Sequence, residues 1–309
     1  KHRLTYVKMG ILYVDRDQWF IVSGENHRME RRICRAGIAA LACVLVVGPA
    51  IQAKTIRVGS SAAAGYRSLK PAVSAAADGD VIVVEKGTYA GADNRDILIQ
   101  GKAVTIRSMD PNDPAVVAAT VIDCQGAASD VHRVFDLLTG AAAGLDLEGL
   151  TITRGYGPFS GGVVSCEGDV FRAYNCVFVG NYVSQWGSAL SFRNCQVRLQ
   201  GCTFSNNTCV SADRGAVYCA TSDVDLENCT FQSNRGGAIV SFDTRLTARR
   251  CIFEDNRAGN GAAIYASLGS NPESACELSL SRCTFTANAA GGSGGALYLS
   301  DFDAQIDGC

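Results

Sequence analysis

A six-residue phrase, Cys-x-Phe-x-x-Asn, recurs five times between Cys176 and Asn288 and limits the possible folds more than any other feature of the chain. The cysteines that open successive copies are 26, 27, 22 and 32 residues apart. A period of this size is typical of a solenoid, in which each repeat buries its apolar side only against its neighbours. The phrase therefore predicts a chain that stacks one structural unit many times.

The segments between the phrases favour strands and turns over helices. No helix-forming run of ten or more residues fits there, whereas short apolar pieces such as Val197-Arg-Leu199 alternate with Gly, Asn, Ser and Asp. A second refrain of small residues followed by an aliphatic one, as in Gly236-Gly-Ala-Ile239, indicates a tight corner. We therefore predict an all-β fold, a right-handed parallel β-helix (solenoid) whose coils stack about 4.8 Å apart.

Residues at equivalent positions of stacked coils form a column along the solenoid. The residue type that recurs in a column therefore predicts whether the column faces inward or lies at a turn. The alternation within Cys-x-Phe puts both side chains on the inner face of one strand. The asparagine lies three residues further on, at a turn, where its side chain can bond the next coil and where asparagine tolerates a left-handed backbone. The predicted structural ladders are Cys176, Cys202, Cys229, Cys251 and Cys283; Phe178, Phe204, Phe231, Phe253 and Phe285; and Asn181, Asn207, Asn234, Asn256 and Asn288.

The beginning of the solenoid contains a candidate cap. Residues 68–77 are predicted to form a short helix, and Asp80-Val-Ile-Val-Val-Glu85 after it to form a strand. Because the end of a solenoid exposes core and unpaired backbone, we expect this N-terminal helix to cover the first coil. The β-helix domain is therefore predicted to occupy residues 54–309.

Residues 29–53 have the pattern of a secretory signal peptide. Met29 opens a basic segment, residues 36–48 form an apolar core, and Ala53 provides a small residue for cleavage. The apolar core is too short for a good membrane span, so we expect no span within the mature segment. Residues 1–28 would then be upstream or mis-called sequence. The expected location is secreted, or at the cell surface or outer membrane.

The last three residues, Asp307-Gly-Cys309, open a new coil without a cap. A solenoid that stopped there would expose the core of its last coil. We therefore expect a C-terminally truncated β-helix, with a membrane anchor beyond residue 309.

Fourteen cysteines in an exported chain would ordinarily indicate disulfides. The column position does not require a cysteine, because Leu150 fills it in an earlier coil. The column cysteines therefore serve as small apolar side chains. Residues stacked in register are also about 4.8 Å apart, further than the about 3.8 Å between the Cβ atoms of a disulfide. We expect the column cysteines to be buried free thiols. One disulfide is left open among Cys166, Cys195, Cys209, Cys219 and Cys276, which lie outside the column.

Residue types suited to catalysis are few. His132 is the only histidine after residue 53, and its place beside Arg133 is typical of a surface or turn histidine without catalytic partners. The alternation Asp223-Val-Asp-Leu-Glu227 puts Asp223, Asp225 and Glu227 on one outer strand face, which is either a weak Ca²⁺ site or a solvated face. We therefore predict no catalytic residues and no cofactor other than Ca²⁺.

The charge pattern narrows the class of partner. The formal net charge is −2, and no run of basic residues appears in the β-helix segment. The chain therefore lacks the basic patch of a nucleic-acid-binding protein. We expect the partner to be a surface protein or a glycan.

The two refrains together resemble the repeats of the chlamydial polymorphic membrane proteins. Five Phe-x-x-Asn copies are present, and Gly236-Gly-Ala-Ile239 and Gly294-Gly-Ala-Leu297 match the second repeat in full. The likeness covers about residues 149–309, whereas residues 54–155 look like the opening of secreted β-helix proteins of the pectin-lyase-like superfamily. The resemblance implies an exported, non-catalytic passenger with an adhesin-like or structural role.

Three functions stay open at this point. The first is a surface or secreted protein whose outer face binds a partner or a glycan. The second is a polysaccharide lyase or glycoside hydrolase of the pectate-lyase-like β-helix fold that uses an acidic face. The third is a structural spacer without a ligand.

Overall fold

The computed structural model describes residues 12–15, 18–21, 53–137, 144–157, 159–211, 213–269, 276–300 and 303–309. The chain divides into two compact units, residues 1–51 and 52–309. In the first unit, strands Leu12–Asp15 and Gln18–Ile21 pair antiparallel. The predicted signal peptide lies outside the described residues except for Ala53.

The second unit is a parallel β-helix of about nine coils. Three long parallel sheets run its length, and each strand pairs with the equivalent strand of the next coil. The first sheet consists of Thr55–Val58, Val81–Val84, Ala103–Ser108, Gly144–Glu148, Val170–Tyr174, Gln196–Gln200, Asp223–Glu227, Arg245–Arg249, Glu277–Ser281 and Asp303–Asp307. The second sheet consists of Gly87–Ala90, Thr120–Asp123, Thr151–Thr153, Val177–Val179, Thr203–Ser205, Thr230–Gln232, Ile252–Glu254 and Thr284–Thr286. The third sheet consists of Ile97–Ile99, Phe135–Leu137, Val164–Glu167, Leu190–Arg193, Val217–Ala220, Ile239–Phe242, Ile264–Ser267 and Leu297–Ser300.

Short strands occupy the corner between the second and third sheets. They pair in the same parallel manner, and isolated bridges at Arg235 connect the two groups of corner strands. These corner strands are Tyr156–Gly157, Tyr182–Val183, Thr208–Cys209, Arg257–Ala258 and Ala289–Ala290. The all-β fold class and the parallel β-helix predicted from the repeat are therefore confirmed.

The Phe-x-x-Asn phrases fill the inside of the second sheet. Phe178, Phe204, Phe231, Phe253 and Phe285 pair in register. Neighbouring rings are 4.7–5.1 Å apart between centroids and no more than 10° from parallel. The first four of these rings are fully buried. Ring spacing thus equals coil spacing, which is why the column keeps one aromatic residue type.

The asparagines form a hydrogen-bonded ladder inside the adjoining corner. The Oδ1 atom of Asn234 accepts bonds from the backbone N and the Nδ2 of Asn207, at 3.1 and 3.0 Å. Its own Nδ2 donates to the carbonyl oxygen of Phe204 and to Oδ1 of Asn256, both at 2.9 Å. The pattern repeats from Asn181 to Asn288. Each amide therefore satisfies backbone groups that the turn would otherwise leave buried and unpaired.

The left-handed backbone at this corner lies one residue before the position that we predicted. Residues with φ between 49° and 64° precede the ladder asparagines, and they are Gly180, Asn206, Ser233, Asp255 and Ala287. The prediction that the ladder asparagines themselves adopt this conformation is wrong. They lie inside the coil, with Asn181, Asn207, Asn234 and Asn256 almost completely buried, and the sharp turn falls on the exposed side of the corner.

The N-terminal cap is confirmed. Helix Leu69–Ala75 buries Leu69, Ala72 and Val73 in the same core cluster as the first coils. The Oδ1 atom of Asn94 accepts a hydrogen bond from the backbone N of Leu69 at 3.0 Å, which fixes the start of the helix.

Two further helical segments do not appear in our sequence-based prediction. Helix Pro114–Ala119 begins with proline at its first turn, and the side chain of Asp113 caps it by accepting from the backbone N of Ala115 at 2.8 Å. A 3-10 helix spans Ala92–Asn94.

Replacing Asn234 by alanine tests the ladder. The substitution leaves the buried backbone N of Asn207 without its partner and removes one hydrogen bond each from the Asn207 amide, the Phe204 carbonyl and the Asn256 amide. We therefore expect the free energy of unfolding to fall by about 2–4 kcal/mol. Urea denaturation measures this change. Asn228→Gly is the matched control, because Asn228 is exposed at φ 53°, where glycine fits. Equal losses in the two variants would contradict the structural role of the ladder.

Candidate functional site

The acidic alternation lies on the outer face of the first sheet, but each of its carboxylates is paired with an arginine of a neighbouring coil. Arg245 is 3.4 Å from Asp223, and Arg249 is 2.7 Å from Asp225. Glu227 pairs with Arg250. The carboxylates point in parallel along one strand and are neutralised singly, so they do not converge on a cation. In the part of the chain that the structure describes, no three His, Cys, Asp or Glu side chains are placed to hold a metal ion. The arrangement favours the solvated face over the Ca²⁺ site.

His132 lies partly exposed in a loop, as expected of a surface or turn histidine. Its Nδ1 is 2.7 Å from Oδ2 of Asp96, and its Nε2 is 2.8 Å from Oδ1 of Asp130. Asp96 lies 36 residues earlier, in the preceding coil, and the stacking of the coils brings it to the ring. The sequence analysis did not predict these two carboxylate partners.

Arginines surround this group, which we call the His132 network. Arg95 lies 3.6 Å from Asp130, and Arg133 lies 2.8 Å from Asp136. Burial raises the pKa of Asp136, and Arg133 opposes that effect. A neutral imidazole has one donor and one acceptor nitrogen, whereas both ring nitrogens of His132 face carboxylate oxygens. Both ring nitrogens are therefore occupied by carboxylate oxygens, and neither is free to act as a base.

Replacing His132 by alanine tests whether the network holds the segment between the second and third sheets. We expect amides of residues 130–133 to exchange hydrogen roughly fivefold faster, which corresponds to about 1 kcal/mol of local stability, because two charge-assisted hydrogen bonds are lost. Val131→Ala, at the exposed neighbouring position, is the control. Unchanged exchange in His132→Ala would mean that the backbone alone holds this segment.

The column cysteines are buried among apolar side chains. Cys176, Cys202, Cys229 and Cys251 are fully buried, and Cys283 nearly so. All of them are free thiols, and so are the cysteines outside the column. The thiol of Cys229 donates to the carbonyl oxygen of Leu199 in the preceding coil at 3.4 Å. Each column thiol thus packs as a small apolar group with one or two weak hydrogen bonds to carbonyl oxygens.

Cys229→Ser tests this packing. A hydroxyl among apolar neighbours is expected to reduce the free energy of unfolding by about 1–3 kcal/mol, as read from denaturation of the reduced protein. Cys309→Ser, at the exposed end of the column, should change it by less than about 0.5 kcal/mol. A Cys229→Ser protein as stable as the control would show that the column is not a packed core.

The shortest repeat leaves a depression on the outer surface. Only 22 residues separate Cys229 from Cys251. After Arg235 the chain turns at once through Gly236 and Gly237, whereas the coils on both sides insert extra residues at this corner. A Cβ atom on Gly236 would lie 2.9 Å from the Cβ and the carbonyl oxygen of Cys209, so the tight turn excludes larger residues.

The flanking loops close over the short coil. Asn260 donates from its backbone N and from its Nδ2 to the carboxylate of Asp213, at 2.6 and 3.0 Å, although the two residues are 47 positions apart. Its Oδ1 accepts from the backbone N of Ser293 in the following coil at 2.8 Å. This bridge joins the corner loops of the coils on either side of the short coil.

A cleft of about 430 Å³ lies at this corner, and we call it the corner cleft. Its lining is polar and comes from three consecutive coils: Asn206, Ser233, Arg235, Asp255 and Arg257. Asp255 accepts a hydrogen bond from the hydroxyl of Ser233 at 3.2 Å and pairs with Arg257 at 3.2 Å. Arg235 is exposed. The cleft therefore presents guanidinium donors, a carboxylate acceptor and an amide at spacings set by the coils.

The corner cleft continues a row of outward side chains, the corner row. Tyr156, Tyr182, Thr208, Arg235 and Arg257 occupy equivalent positions of five successive coils. The rings of Tyr156 and Tyr182 stack with centroids 4.5 Å apart. The row thus passes from aromatic to cationic side chains along the solenoid axis.

A second aromatic row covers the outer side of the third sheet. It consists of Trp186, Tyr218, Phe242, Tyr265 and Tyr298, with neighbouring centroids 4.7–6.0 Å apart. The guanidinium of Arg214 lies 3.6 Å over the ring of Trp186. These rings and the guanidinium cover one another, so the row is largely self-packed.

Sequence reasoning missed the corner cleft, although two signals for it were present. The shortened period between Cys229 and Cys251 marks the coil with the trimmed corner. Tyr156 and Tyr182 are 26 residues apart, which is one coil. The His132 network carried no comparable signal, because the loops around it are irregular.

A comparison with known families agrees with this geometry. The profile of the family described as "Right handed beta helix region" matches residues 143–309. The chain belongs to this family. No curated protein and no solved structure matches the chain significantly. The resemblance to chlamydial polymorphic membrane proteins stays a prediction. In the described part of the chain, no helix is long and apolar enough to cross a bilayer.

Proposed function

We propose that this protein is an exported, non-catalytic repeat protein whose outer face binds a glycan along the corner row. The observation that supports it is the in-register placement of Tyr156, Tyr182, Arg235 and Arg257 beside the corner cleft. A linear face that repeats with each coil suits a linear ligand that repeats with each sugar. The signal-peptide pattern at residues 29–53 supports export.

The chemistry of the corner cleft favours a sugar over a simple anion. Sugar hydroxyls both donate and accept hydrogen bonds, and the cleft offers donors on Arg235 and Arg257, an acceptor on Asp255, and both on Asn206 and Ser233. Asp255 would repel an anion placed directly between the arginines. Outside the cleft, the tyrosine rings offer the amphipathic surface on which the apolar faces of sugars pack.

The same residues argue against catalysis at the cleft. Glycoside hydrolysis uses two carboxyl groups that flank the scissile bond. Asp255 is the single carboxylate lining the corner cleft, and Arg257 holds it in an ion pair. A site of this composition binds a glycan and leaves it intact.

Binding of the full-length chain to a panel of neutral and acidic polysaccharides, measured by calorimetry, tests the proposal. Arg235→Ala together with Arg257→Ala should weaken binding at least tenfold, because each lost charge-assisted bond is worth about 1.5 kcal/mol or more. Arg245→Ala is the matched control, an exposed arginine of the first sheet that faces away from the row. Equal affinity of the double variant and the control would contradict the proposed site.

Product analysis separates binding from turnover. Release of reducing ends or unsaturated products from the bound polysaccharide would contradict the non-catalytic assignment. Failure of every polysaccharide to bind would contradict the glycan ligand and favour a protein partner or a spacer role.

A second candidate function rests on the His132 network. The carboxylates of Asp130 and Asp96, which lie on the two sides of the His132 ring, are the groups from which an acid–base hydrolase site is built. If polysaccharide cleavage is observed, it should disappear in Asp130→Asn and persist in the Arg235 and Arg257 double variant. Cleavage that survives Asp130→Asn would eliminate this second candidate.

A further inference from the structure

A second small-residue ladder runs along the corner between the third and first sheets. Ser222 accepts at Oγ from the backbone N of Cys195 at 3.1 Å and donates to the carbonyl oxygen of Ala220 at 2.8 Å. Thr244 does the same one coil later for Ser222 and Phe242. In the coil before Ser222, Cys195 occupies the equivalent position. A thiol therefore occupies a position that two neighbouring coils give to hydroxyls.

The Cys195 sulfur faces a second thiol of the preceding coil. Its Sγ lies 3.3 Å from Sγ of Cys166 and 3.1 Å from the carbonyl oxygen of Arg193. Cys166 belongs to the third-sheet strand Val164–Glu167 and points inward. Both residues are only 2% exposed. The two sulfur atoms are thus enclosed together, across a corner and across two coils.

We propose that Cys166 and Cys195 form a disulfide that ties two successive coils together when the chain folds in the presence of a disulfide oxidant, while the column cysteines stay thiols. The inference stands on the sulfur–sulfur contact and is independent of the proposed glycan site. Of the cysteines outside the column, only Cys166 and Cys195 are assigned a disulfide.

The positions of Cys166 and Cys195 explain why they can form a disulfide while the column cysteines stay thiols. Column cysteines immediately precede the paired strands of the second sheet, whose register holds equivalent residues about 4.8 Å apart. A disulfide needs Cβ atoms about 3.8 Å apart. Cys166 and Cys195 lie at different points of their coils, on either side of the corner, so no ladder fixes their separation. A small shift of each side chain brings the sulfurs from contact to bond.

The reaction is thiol–disulfide exchange, and its oxidant is a disulfide, either a small molecule or an oxidoreductase. The thiolate of one of the two cysteines attacks one sulfur of the oxidant, which releases one thiol and leaves that cysteine in a mixed disulfide. The other cysteine then attacks the sulfur of the first, which releases the second thiol. The two protons of the cysteines end on the two released thiols, and the oxidant gains the two electrons. Because the folded site is closed, the exchange takes place before the two coils pack.

Peptide mapping of the full chain tests the proposal. The protein is produced once in a bacterial periplasm, where a dithiol oxidoreductase supplies the disulfide, and once in a reducing cytosol. Each sample is denatured without reductant, alkylated and digested with trypsin. The periplasmic sample should contain residues 155–172 joined to residues 194–198, lighter by two hydrogen atoms than the sum of the two peptides. Cys202 and Cys229 in the same digest should be alkylated.

Thermal unfolding provides the second measurement. A bond that closes a loop of 29 residues should raise Tm by roughly 5–10 °C over the reduced protein. Cys195→Ser keeps the hydrogen bonds of the ladder, as Ser222 shows, so it should fold and lose only the dependence of Tm on reductant. Cys219→Ser, a buried cysteine outside the pair, should keep that dependence.

Three results would overturn the proposal. The first is alkylation of both Cys166 and Cys195 in the periplasmic sample. The second is a bond from either cysteine to a different partner, such as Cys219. The third is a Cys195→Ser protein whose Tm still falls on reduction.

Discussion

Hydrogen bonding between coils is the constraint on which the whole structure depends. A coil has no partner for its backbone N–H and C=O groups within itself, so each group must find one in the coil above or below. The strands do this through parallel ladders, and at the corner the asparagine amides do it, as when Asn234 joins Asn207 to Asn256. Registry then follows, because a coil that slipped by one residue would lose these bonds and turn its apolar side chains outward. The aromatic stack around Phe231 is possible only because registry holds the rings at coil spacing.

The same registry organises the outer surface. Charged residues of neighbouring coils are held side by side, which is why Asp225 meets Arg249 and why the acidic strand face is neutralised rather than assembled into a cation site. The coils differ in length only at the corners, where the chain is free to gain or lose residues. The coil that follows Cys229 trims one corner to two glycines, and the polar corner cleft lies beside that trimmed corner. A regular inside and an irregular corner together give this protein a polar cleft lined by three coils.

Contacts between chemically reactive groups arise from the same stacking. Asp96 and His132 are 36 residues apart, and Cys166 and Cys195 are 29 residues apart, yet both pairs are in direct contact because each spans about one coil. This stacking places a carboxylate beside a histidine in one corner and two thiols together in another. The Asp96–His132 pair is partly exposed, so it can contact a ligand. The Cys166–Cys195 pair is enclosed, so it affects the stability of the fold.

The sequence by itself determined the fold class, the inward columns, the N-terminal cap and the strand face of Asp223, Asp225 and Glu227. It did so because identical residues recur at coil spacing, and an in-register stack leaves only one place for each. Where the repeat changes length, only the tertiary structure decided which side chains come into contact. The partners of His132 come from loops of irregular length, the Asn260–Asp213 bridge crosses an entire coil, and the left-handed turn falls on Ser233 and Ala287, residues without a marked preference for it. At such places the closure of the coil, rather than the preference of the residue, sets the backbone, so no local pattern predicts the contact.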